Sequence, residues 1–414
     1  MKKKVLSVLL ASAMALSMAA CGGSPNTSDS NNNSSGTQQG GGNAQEDNGG
    51  DADGGGESGG TSVSLDGSYP AETVKIGFVG YDNTSEQQMA IQEYFDYLSE
   101  KYNIEIMYSE NLADAEGELN FISDCAAAGC KAIIGYYNEA LSEAAKTAAD
   151  YGMYYWGGFG GDEAEVEAAK TACGEYYLGG YTLGKGDYEG GRSMALALAE
   201  QGCEKVVLCS GGASFGVSMF VDRKEGFMAG IEEAKGSGSN IEVVKEVEGW
   251  PGTDSFTADQ TAVMGMDVDA IASTFDVAMW FQPIMESGKA ESIKLAAIGE
   301  VSDTYYDFFN SGLVSVIVYD NEEVIFGNAI PMILNAVSGN KLVDADGNGI
   351  LFEVQRWTIT TPEEFNAVYD LHDAGNWVVT AEDIADMIVD LNPDANADTL
   401  QEFYGSFGID KVMQ

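Results

Sequence analysis

The sequence predicts an α/β fold with two similar lobes. Short apolar runs of strand length alternate with amphipathic stretches of helix length between residues 74 and 337. This alternation begins at residue 74 and starts again near residue 183, so it occurs as two successive series. Regular βα alternation is typical of largely parallel sheets with helices on both faces. Two such series predict two lobes whose strand-end loops face each other across a cleft.

The first βα unit supplies the first candidate binding residues. An apolar run at 75–79 is followed by the polar and aromatic break Tyr81-Asp82-Asn83. Thr84 or Ser85 can then cap a helix that we predict at 85–102. Because ligands of open α/β sheets lie at the carboxyl ends of the strands, Tyr81, Asp82 and Asn83 are candidate binding residues. Turn chemistry alone would explain them equally well.

The rest of the first series has the same organisation. Strands are predicted at 104–108, 131–135, 153–156 and 176–178, and helices at 113–128 and 141–150. Tyr136, Tyr137 and Asn138 follow the third strand, and Phe159 lies in a glycine-rich loop after the fourth. These loops belong to the same predicted edge of the sheet.

The second series repeats this arrangement. Strands are predicted at 205–209, 241–247, 270–274, 294–298 and 314–318, with helices at 183–200, 218–234, 254–264 and 322–337. Asp276, Glu300 and Tyr319 follow the last three of these strands. The second lobe therefore presents two carboxylates and a phenol at its strand ends.

In the first 70 residues the sequence predicts targeting and anchoring segments and no folded domain. A lysine cluster and an apolar run at 5–18 form a secretory signal at residues 1–20. The segment before Cys21 resembles a bacterial lipobox, which predicts lipidation of Cys21; a cleaved signal with a chance cysteine is the alternative. Residues 21–70 are rich in Gly, Ser, Asn and Asp and predict a flexible tether. We expect an extracytoplasmic protein anchored to the cell membrane.

The net charge argues against one class of partner, and the cysteine count limits disulfide pairing. A formal net charge of −46 argues against nucleic acid as a partner, because there is no basic footprint. Apart from Cys21 the chain has an odd number of cysteines, so at least one is unpaired within the chain. We interpret most of them as small buried apolar residues.

At the level of order and spacing, several segments resemble one family. They include AAAGCKAIIGYYNEALSEAAKTAADYGM, DAIASTFDVAM, LAAIGEVSD and a segment in which Arg223, Gly226 and Phe227 fit an R-x-x-G-F pattern. The chain resembles the sugar-type, ribose-binding-protein-like (type I) periplasmic solute-binding proteins of ABC importers. The resemblance implies two Rossmann-like lobes joined by a three-segment hinge near 178–180, 319–321 and 342–344. The first lobe would comprise 71–179 and 320–343, the second 180–319 and 344–361, and a helical extension 362–414.

The resemblance also implies a set of ligand-binding residues. They are Asp82, Asn83, Tyr137, Asn138, Gly158, Phe159, Asp276, Glu300 and Tyr319, and Tyr81 joins them as a candidate from the first strand-end loop. Carboxylates and amides can hydrogen-bond vicinal hydroxyls, and aromatic faces can stack on sugar rings; Tyr136, Trp156 and Phe215 add to the aromatic candidates.

Two departures from the ribose-type pattern concern arginine. Phe159 stands in place of the arginine of an Asp-Arg pair, and Val221 stands in place of a ligand-contacting arginine. Arg223 is interpreted as a helix cap. The candidate loops are mainly acidic, which disfavours an anionic ligand and fits a neutral polyol or an amine-bearing compound.

The leading hypothesis is a receptor that closes on a small polar ligand, a mono- or oligosaccharide, and delivers it to an ABC permease. We expect a monomer without a cofactor and without enzymatic activity. Alternatives are a sensor domain for a membrane kinase or chemoreceptor, and an importer receptor for an amine or nucleoside. A surface hydrolase using the single histidine, His372, is a weaker alternative.

Two carboxyl-terminal features leave their roles open. Asp344, Asp346 and Asn348 fit the start of a calcium loop, although Gln355 stands where a bidentate glutamate is needed, and a plain Asp-Gly turn explains them as well. In the extension, helices are predicted at 381–391 and from 398 to 404, with Trp377 as an anchor.

Overall fold

The computed structural model describes residues 65–137, 139–157, 163–182, 185–353 and 356–413. Cys21, the predicted signal and nearly all of the predicted tether lie outside these residues, as do Asn138, Gly158 and Phe159.

The described strands belong to two sheets of six. They are β1 (Val74–Val79), β2 (Ile104–Tyr108), β3 (Ala132–Gly135), β4 (Tyr154–Gly157), β5 (Tyr177–Thr182), β6 (Lys205–Gly211), β7 (Glu242–Glu248), β8 (Ala270–Ser273), β9 (Lys294–Ile298), β10 (Val314–Tyr319), β11 (Ile350–Glu353) and β12 (Trp357–Ile359).

The helices predicted between the strands are present, although the one predicted at 322–337 is divided into two. Helices at 163–173, 281–287 and 303–310 also lie between strands, where none was predicted. The described helices are α1 (Glu86–Lys101), α2 (Ala115–Ala128), α3 (Leu141–Asp150), α4 (Glu163–Cys173), α5 (Gly186–Glu200), α6 (Ser218–Gly236), α7 (Asp254–Met264), α8 (Phe281–Ser287), α9 (Asp303–Asn310), α10 (Glu322–Gly327), α11 (Ala329–Val337), α12 (Pro362–Asp373), α13 (Ala381–Ala385), α14 (Ala397–Gly405) and α15 (Ile409–Val412). Among the described residues, no helix combines the length and the apolar character that a membrane crossing needs.

Both sheets are dominated by parallel pairing. The first sheet has the order β11-β5-β4-β3-β1-β2, and its strand pairs are all parallel. The second has the order β12-β10-β9-β8-β6-β7, in which only the edge strand β12 is antiparallel. The predicted class, two α/β lobes built on parallel sheets, is confirmed.

The start of α1 shows how local sequence positions the edge of the first sheet. Ser85 caps the helix, and its hydroxyl accepts a hydrogen bond from the Gln88 backbone N–H at 3.3 Å. The helix buries Phe95, whose ring lies edge-on to that of Phe78 in β1 at 5.6 Å. Strand, cap and helix together direct the first turn of α1 towards the carboxyl end of β1.

Two of the chain crossings between the lobes lie later in the sequence than expected. The first lobe keeps β5 as far as Thr182, so the first crossing follows Thr182 and not residues 178–180. The third crossing, predicted at 342–344, lies further from its predicted position, because β11 still pairs with β5 in the first sheet. The chain therefore returns to the second sheet between Glu353 and Trp357.

The pairing of β11 depends on a glycine. Gly179 of β5 has a φ of 98°, and a Cβ atom there would lie 1.9 Å from the carbonyl oxygen of Ile350. Ile350 and Phe352 are buried while Leu351 and Glu353 are exposed, which is the alternation of an edge strand. A close approach that only glycine permits thus adds residues 350–353 to the first lobe.

The carboxyl-terminal extension differs from the prediction in two places. Thr380 caps α13, which begins at Ala381 as predicted, but the helix ends at Ala385 and does not continue to residue 391. Asn335 explains this end, because its amide donates to the Met387 carbonyl at 2.9 Å and accepts from the Val389 N–H at 2.8 Å. The last predicted helix is capped by Asn396, two residues before the expected position.

The cysteines of the folded part are buried and unpaired. They are Cys125, Cys130, Cys173, Cys203 and Cys209. This agrees with their interpretation as small apolar core residues.

Candidate functional site

A cavity of about 530 Å³ lies at the carboxyl ends of the strands and is lined from both lobes. The first lobe contributes Tyr81, Ser85, Glu86, Gln87 and Tyr136. The second lobe and the segment after β10 contribute Met219, Phe220, Arg223, Phe275, Asp276, Ile298, Gly299, Glu300, Thr304, Tyr305 and Asp320. Its volume falls within the range of roughly 300–1,000 Å³ that is usual for small-molecule sites.

Three of the predicted binding residues meet at this cavity. Tyr81 lies on the first-lobe wall, and its ring is edge-on to that of Tyr136 at 5.1 Å. Asp276 and Glu300 lie on the second-lobe wall. Asp276 Oδ1 accepts from the Ala278 N–H at 2.8 Å and from the Tyr305 hydroxyl.

Asp82 and Asn83 are used within the loop and do not line the cavity. Asp82 Oδ1 accepts hydrogen bonds from the backbone N–H groups of Thr84 and Ser85, both at 2.7 Å. Asn83 donates to the Ser109 carbonyl at 2.9 Å. In the structure these two side chains shape the turn between β1 and α1.

Tyr137 and Tyr319 stand behind or beside the cavity. The Tyr137 ring is buried against Tyr81, with ring centres 5.0 Å apart. Tyr319 lines a neighbouring cavity of about 330 Å³, which shares Glu86 and Glu300 with the first. Of the other predicted aromatic residues, Trp156 is fully buried in the core.

The first turn of α1 supplies two cavity residues that sequence reasoning missed. Gln87 accepts from the Tyr136 hydroxyl at 2.8 Å and donates to Glu322 at 3.0 Å. Glu86 reaches the other lobe and accepts from the hydroxyls of Ser302 at 2.7 Å and Thr304 at 2.5 Å. The helix start predicted at residue 85 could have indicated these two residues, because the first turn of a helix that follows the end of a strand faces the cleft.

An aromatic cluster forms part of the second-lobe wall. The rings of Phe220 and Phe275, which line the cavity, both meet Trp250 edge-on, at 5.0 Å and 5.4 Å. Trp250 is 39% exposed and Phe215 is 70% exposed. Trp250 was not among the predicted residues; its position after β7, at a Gly-Trp-Pro-Gly break, was the signal.

Glu300 and Glu322 form a pair of carboxyl groups where the two cavities adjoin: Glu300 lines both cavities, and Glu322 lines the smaller one. Burial, followed by the charges of Glu322 and Asp320, raises the pKa of Glu300 well above its usual value. Burial also raises the pKa of Glu322 to about 8, against an opposing hydrogen bond from Gln87. Among the described ion pairs none involves either carboxyl group. The pair therefore retains a proton near neutral pH.

The candidate calcium loop forms a turn. Asp344 Oδ1 accepts from the backbone N–H groups of Asp346 at 3.0 Å and Asn348 at 2.7 Å. These hydrogen bonds lower the pKa of Asp344, and the one from Asn348 has the largest effect. Among the residues that the structure describes, no group of three or more His, Cys, Asp or Glu side chains is arranged to hold a metal ion.

His372 belongs to the extension; it does not line the 530 Å³ cavity but lines the smaller neighbouring one. Its Nε2 is 2.6 Å from Glu323 Oε1, and the other oxygen of Glu323 accepts from the N–H groups of Val378 and Val379. These contacts assign His372 to the packing of the extension on α10.

Comparison with known proteins identifies the fold. No protein-family model matches the sequence, and no curated protein matches it significantly. Solved structures do match. A periplasmic solute-binding protein from Actinobacillus succinogenes 130z with bound D-allose is 16% identical, with a TM-score of 0.56 over 71% of this chain and 99% of that chain. The fold is that of the type I periplasmic solute-binding proteins.

Two further structures with this binding-protein fold show the same agreement. A galactofuranose-binding protein is 17% identical, with a TM-score of 0.56 over 73% of this chain and 99% of that chain. An ABC transporter solute-binding protein from Bacillus halodurans C-125 with bound myo-inositol is 14% identical, with a TM-score of 0.52 over 75% of this chain and 99% of that chain.

At the hinge of this binding-protein fold lies a buried network of charges. Arg356 Nε is 2.7 Å from Asp320, and its Nη1 is 2.6 Å from Asp187. Arg223 also pairs with Asp187 at 2.6 Å and donates to the Thr274 carbonyl at 2.8 Å. The network joins the second and third crossings to α5 and α6.

This network corrects the interpretation of Arg223 as a helix cap. Arg223 lies in the interior of α6, and its guanidinium group is buried at the cavity. Arg356 was not predicted, because nothing around it in the sequence indicates that Asp187 and Asp320 converge on it.

Proposed function

We propose that the chain is an extracytoplasmic, lipid-anchored solute-binding protein that captures a small polar ligand, a sugar, and delivers it to an ABC permease. The observation that carries this proposal is a cavity of about 530 Å³ that residues of both lobes line together. A ligand held there contacts both lobes, so its differential affinity favours the closed conformation. Lipidation of Cys21 and the tether would keep the protein near the permease.

The chemistry of the walls supports a sugar. Asp276 and Glu300 offer oxygens that can accept hydrogen bonds from hydroxyl groups, and Gln87 lies opposite them on the first lobe. Tyr81 and the Phe220–Phe275 pair provide aromatic surface for the C–H faces of a ring. A mainly apolar cavity with a few placed polar groups is the usual form of a small-ligand site.

A thermal-shift screen against neutral monosaccharides, furanoses and cyclic polyols tests the proposal. A bound ligand stabilises the folded state by roughly 2.7 kcal/mol at a concentration of one hundred times Kd, so a true ligand should raise the Tm in a concentration-dependent way. The Glu110→Gln variant, which changes an exposed carboxylate outside the cavity, should respond as the wild type does. No stabilisation by any sugar or polyol would contradict a sugar ligand.

A second candidate is a receptor for an amine-bearing ligand, and the Glu300–Glu322 pair is the observation that favours it. Two adjacent carboxyl groups that retain a proton can exchange it for an ammonium group of a ligand. Such an exchange releases a proton, so the affinity for an amine depends on pH while the affinity for a neutral polyol does not share that dependence.

Binding of 1-amino-1-deoxysorbitol and of sorbitol, measured by calorimetry between pH 6 and 9, separates the two candidates. A hydroxyl on the neighbouring carbon lowers the pKa of the ammonium group of 1-amino-1-deoxysorbitol by about one unit from that of lysine, so the group keeps its charge up to about pH 8 and the two profiles are compared below that pH. If the pair binds the amine, raising the pH towards 8 increases the affinity for the amine by up to about tenfold per pH unit. The affinity for sorbitol does not increase in this way. Parallel pH profiles for the two compounds would exclude the amine.

The carboxyl pair also predicts how stability depends on pH. The folded-state pKa of Glu322, about 8, lies above its ordinary value of 4.5. Its protonation therefore stabilises the fold fully below about pH 4.5, and this contribution is lost as the pH rises through 8. Urea unfolding should show a smaller decline in stability from pH 6 to 9 in Glu322→Gln than in the wild type. An equal decline in Glu322→Gln and in the exposed-site variant Glu242→Gln would contradict the assignment.

A further inference from the structure

The carboxyl-terminal extension contacts the second lobe through α12. Phe365 stacks on Phe309 of α9, with ring centres 4.7 Å apart. One turn further along, the ring of Tyr369 lies 4.5 Å from that of Tyr306. The side-chain amides of Asn366 and Asn310 exchange hydrogen bonds of 2.8 Å and 3.0 Å. Because α9 connects β9 to β10, this interface fixes α12 to the second lobe.

The residues that follow α12 contact the first lobe. Trp377 stacks on Tyr97 of α1, with ring centres 5.6 Å apart, and lies 5.2 Å from Tyr94. The Tyr94 hydroxyl donates to the Val379 carbonyl at 3.0 Å, and the Ala381 N–H donates to Tyr97 at 2.9 Å. Further along, Asn335 of α11 fixes the backbone at 387–389. The extension therefore lies on both lobes.

The link between these two interfaces is only a few residues long, and Glu323 binds the chain on both sides of it. The four backbone steps from Asp373 to Trp377 span at most roughly 14 Å when fully extended. In the structure they are folded into a turn, in which the Asn376 N–H donates to the Leu371 carbonyl at 3.0 Å. Glu323 of α10, 3% exposed, binds His372 on one side of the link and the backbone at 378–379 on the other.

We propose that residues 362–404 act as a strap, a fourth connection that limits how far the two lobes open. When the lobes separate, α9 moves away from α1, so the link must unfold or one of the two interfaces must detach. The strap therefore restricts the ligand-free protein to a narrow range of lobe separations. This inference rests on the lobe motion of the proposed function but not on the identity of the ligand.

Lengthening the link tests the strap. Six Gly and Ser residues inserted between Asn376 and Trp377 add a reach of up to roughly 20 Å while leaving both interfaces intact. Because α15 returns to contact α12, the variant also carries Ile409→Ser and Val412→Ser in the full chain. The matched control has the same two substitutions and the same insertion between Gly238 and Ser239, in an exposed turn of the second lobe.

The lobe separation is measured on the ligand-free protein by double electron–electron resonance. Spin labels are attached at Ala168→Cys on α4 and Met285→Cys on α8, both exposed and on different lobes, with Cys21→Ser to prevent a third label. The strap predicts a shift to longer distances and a broader distribution in the lengthened-link variant, and no shift in the control. Identical distributions in the two variants would overturn it.

A second variant keeps the test decisive if the insertion disturbs folding. Trp377→Ala removes the stacking on α1 without lengthening the chain, and it should broaden the distribution in the same direction. A Trp377→Ala distribution that coincides with that of the wild type would also overturn the strap. Because these readings need no ligand, a failed sugar screen would contradict the proposed function and leave this result unaffected.

Discussion

Replacing Arg356 by methionine is expected to lower the free energy of unfolding by about 3–5 kcal/mol. The Arg356 side chain is 3% exposed and is paired with Asp320 and Asp187. Arg223 would still pair with Asp187, but Asp320 would be left as a buried carboxylate without its cation. Breaking a buried pair in this way costs far more than the pair contributes. Urea unfolding followed by circular dichroism measures the change.

Arg192→Met is the matched control for this substitution. Arg192 also binds two carboxylates, those of Glu189 and Glu233, but on an exposed surface. Since exposed pairs contribute little, its unfolding midpoint should stay close to that of the wild type. Equal losses in the two variants would show that the hinge network is not the source of the effect.

Replacing Asp276 by alanine is expected to weaken binding of the ligand by about 2 kcal/mol, a factor of roughly 30 in Kd. Asp276 lines the cavity, and its Oδ1 is occupied by the Ala278 N–H and the Tyr305 hydroxyl. The loss arises because hydroxyls of the bound ligand would lie in the closed cleft without an acceptor. Isothermal titration with the ligand found in the thermal-shift screen measures the change.

The matched variant is Asp276→Asn, which keeps an oxygen for the Ala278 N–H. It should retain the Tm of the wild type and lose only part of the affinity, because a neutral amide is a weaker acceptor than a carboxylate. Wild-type affinity in both variants would show that the ligand does not contact this part of the second lobe.

The sequence was informative about the fold where periodicity is regular. The alternation of apolar runs and amphipathic stretches predicted the two parallel sheets, because each strand–helix pair is a local pattern. The third crossing could not be predicted, because β11 is only four residues long and follows an Asp-Gly turn that resembles a hinge loop. Its place in the first sheet depends on a backbone approach at Gly179, which is a tertiary contact.

For the site, the sequence indicated which loops reach the cavity, but it indicated less well which of their side chains face it. Asp276 and Glu300 follow strands and reach the cavity, whereas Asp82 follows a strand in the same way and turns back on Thr84 and Ser85. The two outcomes have the same local sequence signature, since a short carboxylate can either cap a turn or face a cleft. The convergence of Arg356 with Asp187 and Asp320 joins three distant segments and has no local signal.

Amide hydrogen exchange with and without the ligand tests most directly whether one small molecule is held between the two lobes. We expect slower exchange in two separate segments on binding, at residues 80–90 of the first lobe and at 274–305 of the second. Protection confined to one of these segments, or located at the opposite ends of the strands, would contradict it.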